Sequence, residues 1–169
     1  MKYKCFTLIC IGVEIKKIVY YESPIGTLGI VEEDNKIIEL ILNCNEKLSG
    51  YDESESEGLK EAVKQLAQYF EGSRKEFELE LNPQGTDFQQ KVWRALCDIP
   101  YGETVSYKHI AEQIGNNKAA RAVGMANNKN PISIFIPCHR VIGGNGKLIG
   151  YGGGLNIKKY LLELENKNK

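Results

Sequence analysis

Cys138 and His139 are the adjacent residues of this chain best suited to nucleophilic chemistry, and they close the stretch Pro131-Ile132-Ser133-Ile134-Phe135-Ile136-Pro137. A cysteine attacks as its thiolate, and an imidazole that titrates near neutrality is a natural acceptor for the thiol proton. The stretch before them is apolar and too short for a helix of ordinary length, which predicts a buried strand. Pro137 fixes φ and offers no N–H to a ladder, so the strand should end there with Cys138 at its exit. Neighbouring side chains on extended backbone point apart, so His139 would reach the thiol through a water or another residue. The same pair also fits an inert buried cysteine, because free cysteines are among the most buried side chains. A zinc site fits less well: structural ligands come as spaced pairs, whereas Cys5, Cys10, Cys44 and Cys97 are scattered and His109 is the only further imidazole. Five cysteines, an odd number without a secretory signal, read as reduced thiols of a cytoplasmic protein.

The elements that must position this pair fall into two halves. A chain of 169 residues can hold one domain with a sizeable core or two small ones. Net charge is zero, yet residues 1–85 carry 10 Lys and Arg against 16 Asp and Glu, a net of −6, and residues 86–169 carry 12 against 6, a net of +6. A basic half fits a surface that meets phosphates; a merely solvated face is the other reading. The apolar run over residues 5–13 is too short to span a bilayer and lacks a small-residue cleavage site. It reads as a strand or a poorly ordered leader, and no membrane association is expected.

In the first half, residues 18–23, 27–31 and 36–42 are β-rich and separated by Pro24-Ile25-Gly26 and Glu32-Glu33-Asp34-Asn35, which predicts an antiparallel meander. Residues 43–58, where Ser, Asp and Glu cluster, predict a surface loop. Leu59, Ala62, Val63, Leu66, Ala67 and Phe70 recur at helical spacing up to Gly72, predicting a helix that covers the sheet. Phe77, Leu79 and Leu81 alternate as one more strand, and Asn82-Pro83-Gln84-Gly85 reads as a linker.

In the second half, Thr86 and Gln89 form a capping box ahead of Phe88, Val92, Ala95, Leu96 and Ile99, so a helix runs from about Asp87 to Cys97. Ser106 caps a short helix through Ile114, Gly115 ends it, and Asn116 or Asn117 caps another over residues 118 to about 127. This pair predicts a helix-turn-helix. Ala119, Ala120, Ala122, Gly124 and Ala126 leave the second helix nearly smooth, with Lys118 and Arg121 as the long side chains of its first turns. Such a surface suits close approach to DNA, and it equally suits tight packing on another helix. Gly143-Gly144-Asn145-Gly146 carries the Asn-Gly signal of a hairpin, a wing beside these helices, and Tyr151-Gly152-Gly153-Gly154 reads as a flexible loop. In the last helix Ile157, Tyr160, Leu161 and Leu164 form the apolar stripe, Glu165 lies on its flank, and Glu163 points away.

Taken together, Lys118-Ala119-Ala120-Arg121-Ala122-Val123-Gly124, Asn130-Pro131, Pro137-Cys138-His139-Arg140-Val141 and Tyr151-Gly152-Gly153-Gly154-Leu155 closely resemble the methylated-DNA–protein-cysteine S-methyltransferases, the O6-alkylguanine-DNA alkyltransferases. The resemblance runs from Phe88 to Glu165. It implies an α/β protein: an N-terminal ribonuclease H-like domain with a small antiparallel sheet over residues 1–85, and a C-terminal winged helix-turn-helix domain over residues 86–169. It further implies that Cys138 accepts the alkyl group, that His139 is the base acting through a water, and that Glu165 orients the histidine. Asn130 would tie the recognition helix to the active-site turn. Tyr107 would crowd the target phosphate and donate to the extruded base, and Arg121 would fill the gap in the stack. Lys118, Ala119, Ala122 and Gly124 would lie along the DNA. The carbonyls of Cys138 and Val141 would accept from the guanine amino group, with Tyr151 and Gly152 bordering the pocket.

By the same resemblance the partner is double-stranded DNA containing O6-alkylguanine, with O4-alkylthymine as a further candidate, and the protein is expected to act as a monomer, once, without a cofactor. Relatives that hold zinc use cysteines and histidines of the N-terminal half; this half has no histidine, so no metal site is expected. Three rivals stand beside this reading. A non-catalytic alkyltransferase-like protein would lack the acceptor cysteine, and a promoter-reading regulator would present Arg, Asn or Gln from its recognition helix. A cysteine hydrolase would turn over repeatedly.

Overall fold

The computed structural model describes residues 15–169; the run over residues 5–13 lies outside them. Strands β1 (Lys17–Ser23), β2 (Gly26–Glu33) and β3 (Lys36–Ile41) form the expected antiparallel meander. Period-2 alternation, reset once in β3 by a register shift opposite Val31 and Glu32, divides their side chains between two faces. Leu28, Ile30, Ile37 and Leu40 face helix α1 (Glu57–Phe70), which buries Leu59, Leu66 and Tyr69 on the sheet. Ile18, Val31 and Ile38 face the other way, and there the predicted surface loop does more than cross the surface: Leu48 and Tyr51 pack over them, and the Leu48 amide donates to the Tyr20 hydroxyl at 2.8 Å.

The strand expected at Phe77, Leu79 and Leu81 does not form. A single bridge joins Ile37 to Leu81, through Ile37 N–H to the Glu80 carbonyl and Asn82 N–H to the Ile37 carbonyl. Three residues further along β3, Leu40 N–H donates instead to the Pro131 carbonyl. The free edge of β3 is thus shared between the linker and the active-site loop, which leaves neither partner room for a ladder.

In the second half, α2 (Asp87–Cys97) begins at the expected capping box of Thr86 and Gln89. Gly85 lies against it so closely that a Cβ there would meet the Trp93 ring at 2.4 Å, so only glycine fits. Trp93 is buried and its indole N–H donates to the Ala126 carbonyl, tying α2 to the helix-turn-helix. That unit comprises α3 (Tyr107–Gln113), capped by Ser106, and α4 (Ala120–Asn128). Contrary to the expected asparagine cap, α4 starts at Ala120 after Ala119 without a side-chain cap: residues 116–119 close a turn through Ala119 N–H to the Asn116 carbonyl, which spends the first residues of the predicted helix.

The wing also differs from a hairpin. Strand β5 (Val141–Ile142) pairs in parallel with β4 (Val105–Ser106), and the Asn145-Gly146 turn closes through Gly143 N–H to the Lys147 carbonyl without a second strand. The chain then runs irregularly to α5 (Leu155–Lys167). One hydrophobic core joins both halves: Leu28, Leu66, Leu96, Ile110, Val123 and Leu161, all fully buried, belong to the same cluster. No helix among the described residues is long and apolar enough to cross a membrane.

Candidate active site

Residues 131–137 fold as a tight loop and not as the expected strand. Ile132, Ile134, Phe135 and Ile136 are all buried, so the run shows no alternating face to reveal its shape. It doubles back through Ile136 N–H to the Ile132 carbonyl, with Ile134 held at φ +74°, a region that β-branched residues rarely adopt. Asn130 holds this loop shut from within: its side-chain carbonyl accepts from Ile132 N–H at 3.0 Å and its amide donates to the Ile136 carbonyl at 2.8 Å. Asn127, from the last turn of α4, donates to the Cys138 carbonyl at 3.2 Å. The C-terminal end of α4 therefore fixes the thiol's backbone.

Cys138, His139 and Arg140 form one turn of 3-10 helix after Pro137. Cys138 is 2 % exposed, and its thiol lies 3.9 Å from the Ser133 hydroxyl. Burial raises its pKa; hydrogen bonds from Asn130 and Ser133 and the positive charge of Lys158 oppose that. His139, fully buried, points to α5, where its Nε2 lies 2.7 Å from Glu165 Oε1, while its Nδ1 has no hydrogen-bond partner among the described residues. Burial lowers the imidazole pKa, against the pull of the carboxylate.

Glu165 is the hub. Besides His139, its carboxylate accepts from Arg140 Nε at 2.9 Å and Nη2 at 3.0 Å, from the Gly102 amide at 2.9 Å, and from the Tyr69 hydroxyl at 2.8 Å. Burial alone would raise its pKa, but the hydrogen bonds and charges of His139 and Arg140 bring it down to about 2. A carboxylate so held carries no proton near neutrality, so its neighbours must donate. His139 therefore bears its proton on Nε2, and Nδ1 is left with a free lone pair.

Sequence patterns alone assign no role to Arg140, Tyr69, Asn127, Ser133 or Lys158. Lys158 is fully buried, donating to the carbonyls of Val141 at 2.6 Å and Ile149 at 2.9 Å, and burial lowers its pKa to about 8. Its position three residues before Leu161 and seven before Glu165 was the available signal, since that spacing places all three on one helical stripe.

The remaining predicted residues separate by exposure. On α4, Arg121 and Ala122 face solvent beside Met125, 67 % exposed, and Lys118 is exposed in the turn before it. Ala119 is buried instead, together with Val123 and Ala126, so the small residues of this helix serve both an inner packed face and an outer smooth one. Gly124 lies under the Tyr107 ring, 3.7 Å from where a Cβ would stand. Tyr107 donates to the Ile149 carbonyl at 3.0 Å. Val141 and Tyr151 are buried, the Tyr151 hydroxyl without a partner among the described residues, and Gly152 is exposed.

Known proteins share this architecture. The ribonuclease-like domain of 6-O-methylguanine DNA methyltransferase matches residues 17–83, and the DNA-binding domain of that family matches residues 87–167. A methylated-DNA–protein-cysteine methyltransferase of Methanosarcina barkeri is 50 % identical over 156 residues, covering 89 % of this chain and 99 % of the relative. The crystal structure of Mycobacterium tuberculosis O6-methylguanine methyltransferase, 46 % identical, superposes with a TM-score of 0.84 over 92 % of this chain and 95 % of that one. The Mycobacterium tuberculosis protein in complex with DNA, 49 % identical, gives 0.81 over 90 % and 93 %. With both of its domains matched in order and the thiol, imidazole and carboxylate gathered at their junction, the chain belongs to the 6-O-methylguanine DNA methyltransferase family.

Proposed function

We propose that this protein repairs DNA by moving the alkyl group of O6-alkylguanine onto the sulfur of Cys138, once per molecule. The observation that carries this reading is the buried His139–Glu165 pair, whose unpartnered Nδ1 lies in the residue next to the nucleophile. His139 takes the thiol proton through a water, and the thiolate attacks the alkyl carbon. The S–C bond forms as the C–O6 bond breaks, the bonding pair stays on the base, and guanine regains one proton. A thioether is a poor leaving group, so the protein is consumed.

Access to the thiol dictates how DNA must be handled. The sulfur of a residue as buried as Cys138 cannot meet a base edge still inside a duplex stack, so the damaged nucleotide is flipped out, a cost that is smallest for a badly paired base. Exposed Lys118, Arg121 and Lys129 surround the outer face of α4, and this helix enters the minor groove with Arg121 standing in for the missing base. Tyr107, Val141, Tyr151 and Gly152 receive the base. Asn130 holds the loop that presents Cys138, and O4-alkylthymine is a second substrate. The relay of Cys138, His139 and Glu165 is complete without a second copy, which supports action as a monomer.

A duplex carrying O6-methylguanine tests this reading. Restoration of guanine should stop at one equivalent per protein. Continued turnover would favour a hydrolase, and tight sequence-specific binding without restoration would favour a regulator.

A further inference from the structure

Tyr69 stands in α1, in the half of the molecule that holds no other part of the relay, yet its hydroxyl reaches the same Glu165 oxygen that meets His139. The two residues are 96 positions apart and both are fully buried. The ring is wedged among Phe70, Phe77 and Tyr101, at centroid distances of 5.5, 5.4 and 6.1 Å, which fixes the direction of its hydroxyl. Burial first, and then the Glu165 charge, push the phenol well above its ordinary pKa, so it stays protonated and a donor around neutrality.

We propose that Tyr69 is a positioning residue of the alkyl transfer: by donating to Glu165 Oε1 it sets how strongly that carboxylate holds the His139 proton, and so the N-terminal domain tunes the base that activates Cys138. The groups around the carboxylate are Tyr69 from α1, the Gly102 amide from the turn after α2, and His139 and Arg140 from the active-site turn. Arg140 and Lys158 add positive charge near the imidazole. Apart from His139 itself, Tyr69 is the neutral side-chain donor among these, so its loss changes the strength of the acceptor without removing a charge. A carboxylate with one donor fewer holds an imidazolium more tightly, and His139 becomes easier to protonate. The kinetic part of this inference rests on the proposed transfer chemistry; the titration part does not.

The chain has two histidines, so ring signals of histidine-labelled protein can be assigned by comparison with a His109→Gln variant. In Tyr69→Phe, which keeps the ring and its packing, the His139 midpoint should rise by about half a pH unit or more while that of His109 stays put. A ring-fluorinated tyrosine at position 69 is a stronger donor and should move the midpoint the opposite way. The acid limb of the single-turnover rate should follow the His139 midpoint upward in Tyr69→Phe. In a His139→Gln background the same substitution should change the rate less than about twofold, since residues that act through one another do not add. An unmoved His139 midpoint, a shift of the same sign in both Tyr69 replacements, or an equal loss of rate in both backgrounds would make Tyr69 a packing residue and overturn the inference. If wild-type protein gained no alkyl group the transfer chemistry would fail, and the two titrations would still decide the role of Tyr69.

Discussion

The outer face of α4 and the carboxylate of Glu165 are opposite solutions to handling charge. Arg121 and Lys118 stand exposed among small side chains, without a side-chain hydrogen bond or ion pair to any of the described residues. Glu165 is fully buried and accepts from four residues. The first arrangement leaves positive charge available to a polyanion, and phosphate contacts of this kind supply affinity that falls steeply with salt. The second commits the carboxylate in advance and leaves His139 Nδ1, a buried nitrogen without a partner among the described residues, free to serve as the proposed base. Binding and chemistry are thereby separable, and substitutions should tell them apart.

Cys138→Ala should abolish transfer completely while binding to alkylated duplex stays within about twofold, as single-turnover assays and a titration of labelled duplex would measure. Residual methyl uptake by the variant would erase the distinction. Next in size is Glu165→Ala, which strands the Arg140 guanidinium in the core and should cost about 3–5 kcal/mol by denaturant unfolding. The same carboxylate makes stability depend on acid. Its pKa lies at about 2 when folded, against an ordinary 4.5, so its stabilisation, about 3 kcal/mol, is complete above pH 4.5 and is lost as pH falls toward 2. Melting temperatures across that window should fall in wild type and be nearly flat for this group in Glu165→Gln.

Arg121→Ala should slow transfer from saturated duplex by an amount corresponding to roughly 1–3 kcal/mol, the scale of a lost stacking contact, and leave transfer from free O6-benzylguanine unchanged. Equal weakening of plain and alkylated duplex binding, with an unaltered saturated rate, would reduce Arg121 to a phosphate contact. Lys118→Ala should have the smallest effect: a loss of about 1 kcal/mol or less in duplex affinity, uniform across sequences, with the salt dependence made shallower by about one charge.

What the linear chain disclosed follows the same division. On α4 the exposure of Arg121 and Ala122 was readable from charged and small side chains at helical spacing, whereas Ala119, expected on the same surface, turned inward because the chain before α4 closes a turn. The meander, the capping box of α2 and the pairing of Glu165 with His139 followed from periodicity, local capping and family resemblance. The active-site loop misled because its side chains are buried in every direction, and a run without a polar face looks like a buried strand. Its shape depends on Asn130, whose two hydrogen bonds close it from inside. Phe77, Leu79 and Leu81 alternated as a strand does, but the β3 edge they needed was partly taken by Pro131. Tyr69 and Lys158 escaped notice because their partners lie in other elements; Lys158 alone left a trace, a charged residue on an apolar stripe.

The central claim is that Cys138 is the acceptor and is used once. Intact-protein mass after incubation with excess O6-methylguanine duplex, followed by mapping of the modified peptide, tests it most directly. A gain of one methyl per molecule is expected, carried on Cys138 and on none of the other four cysteines. An unchanged mass, or a methyl on Cys97 or Cys44, would contradict it.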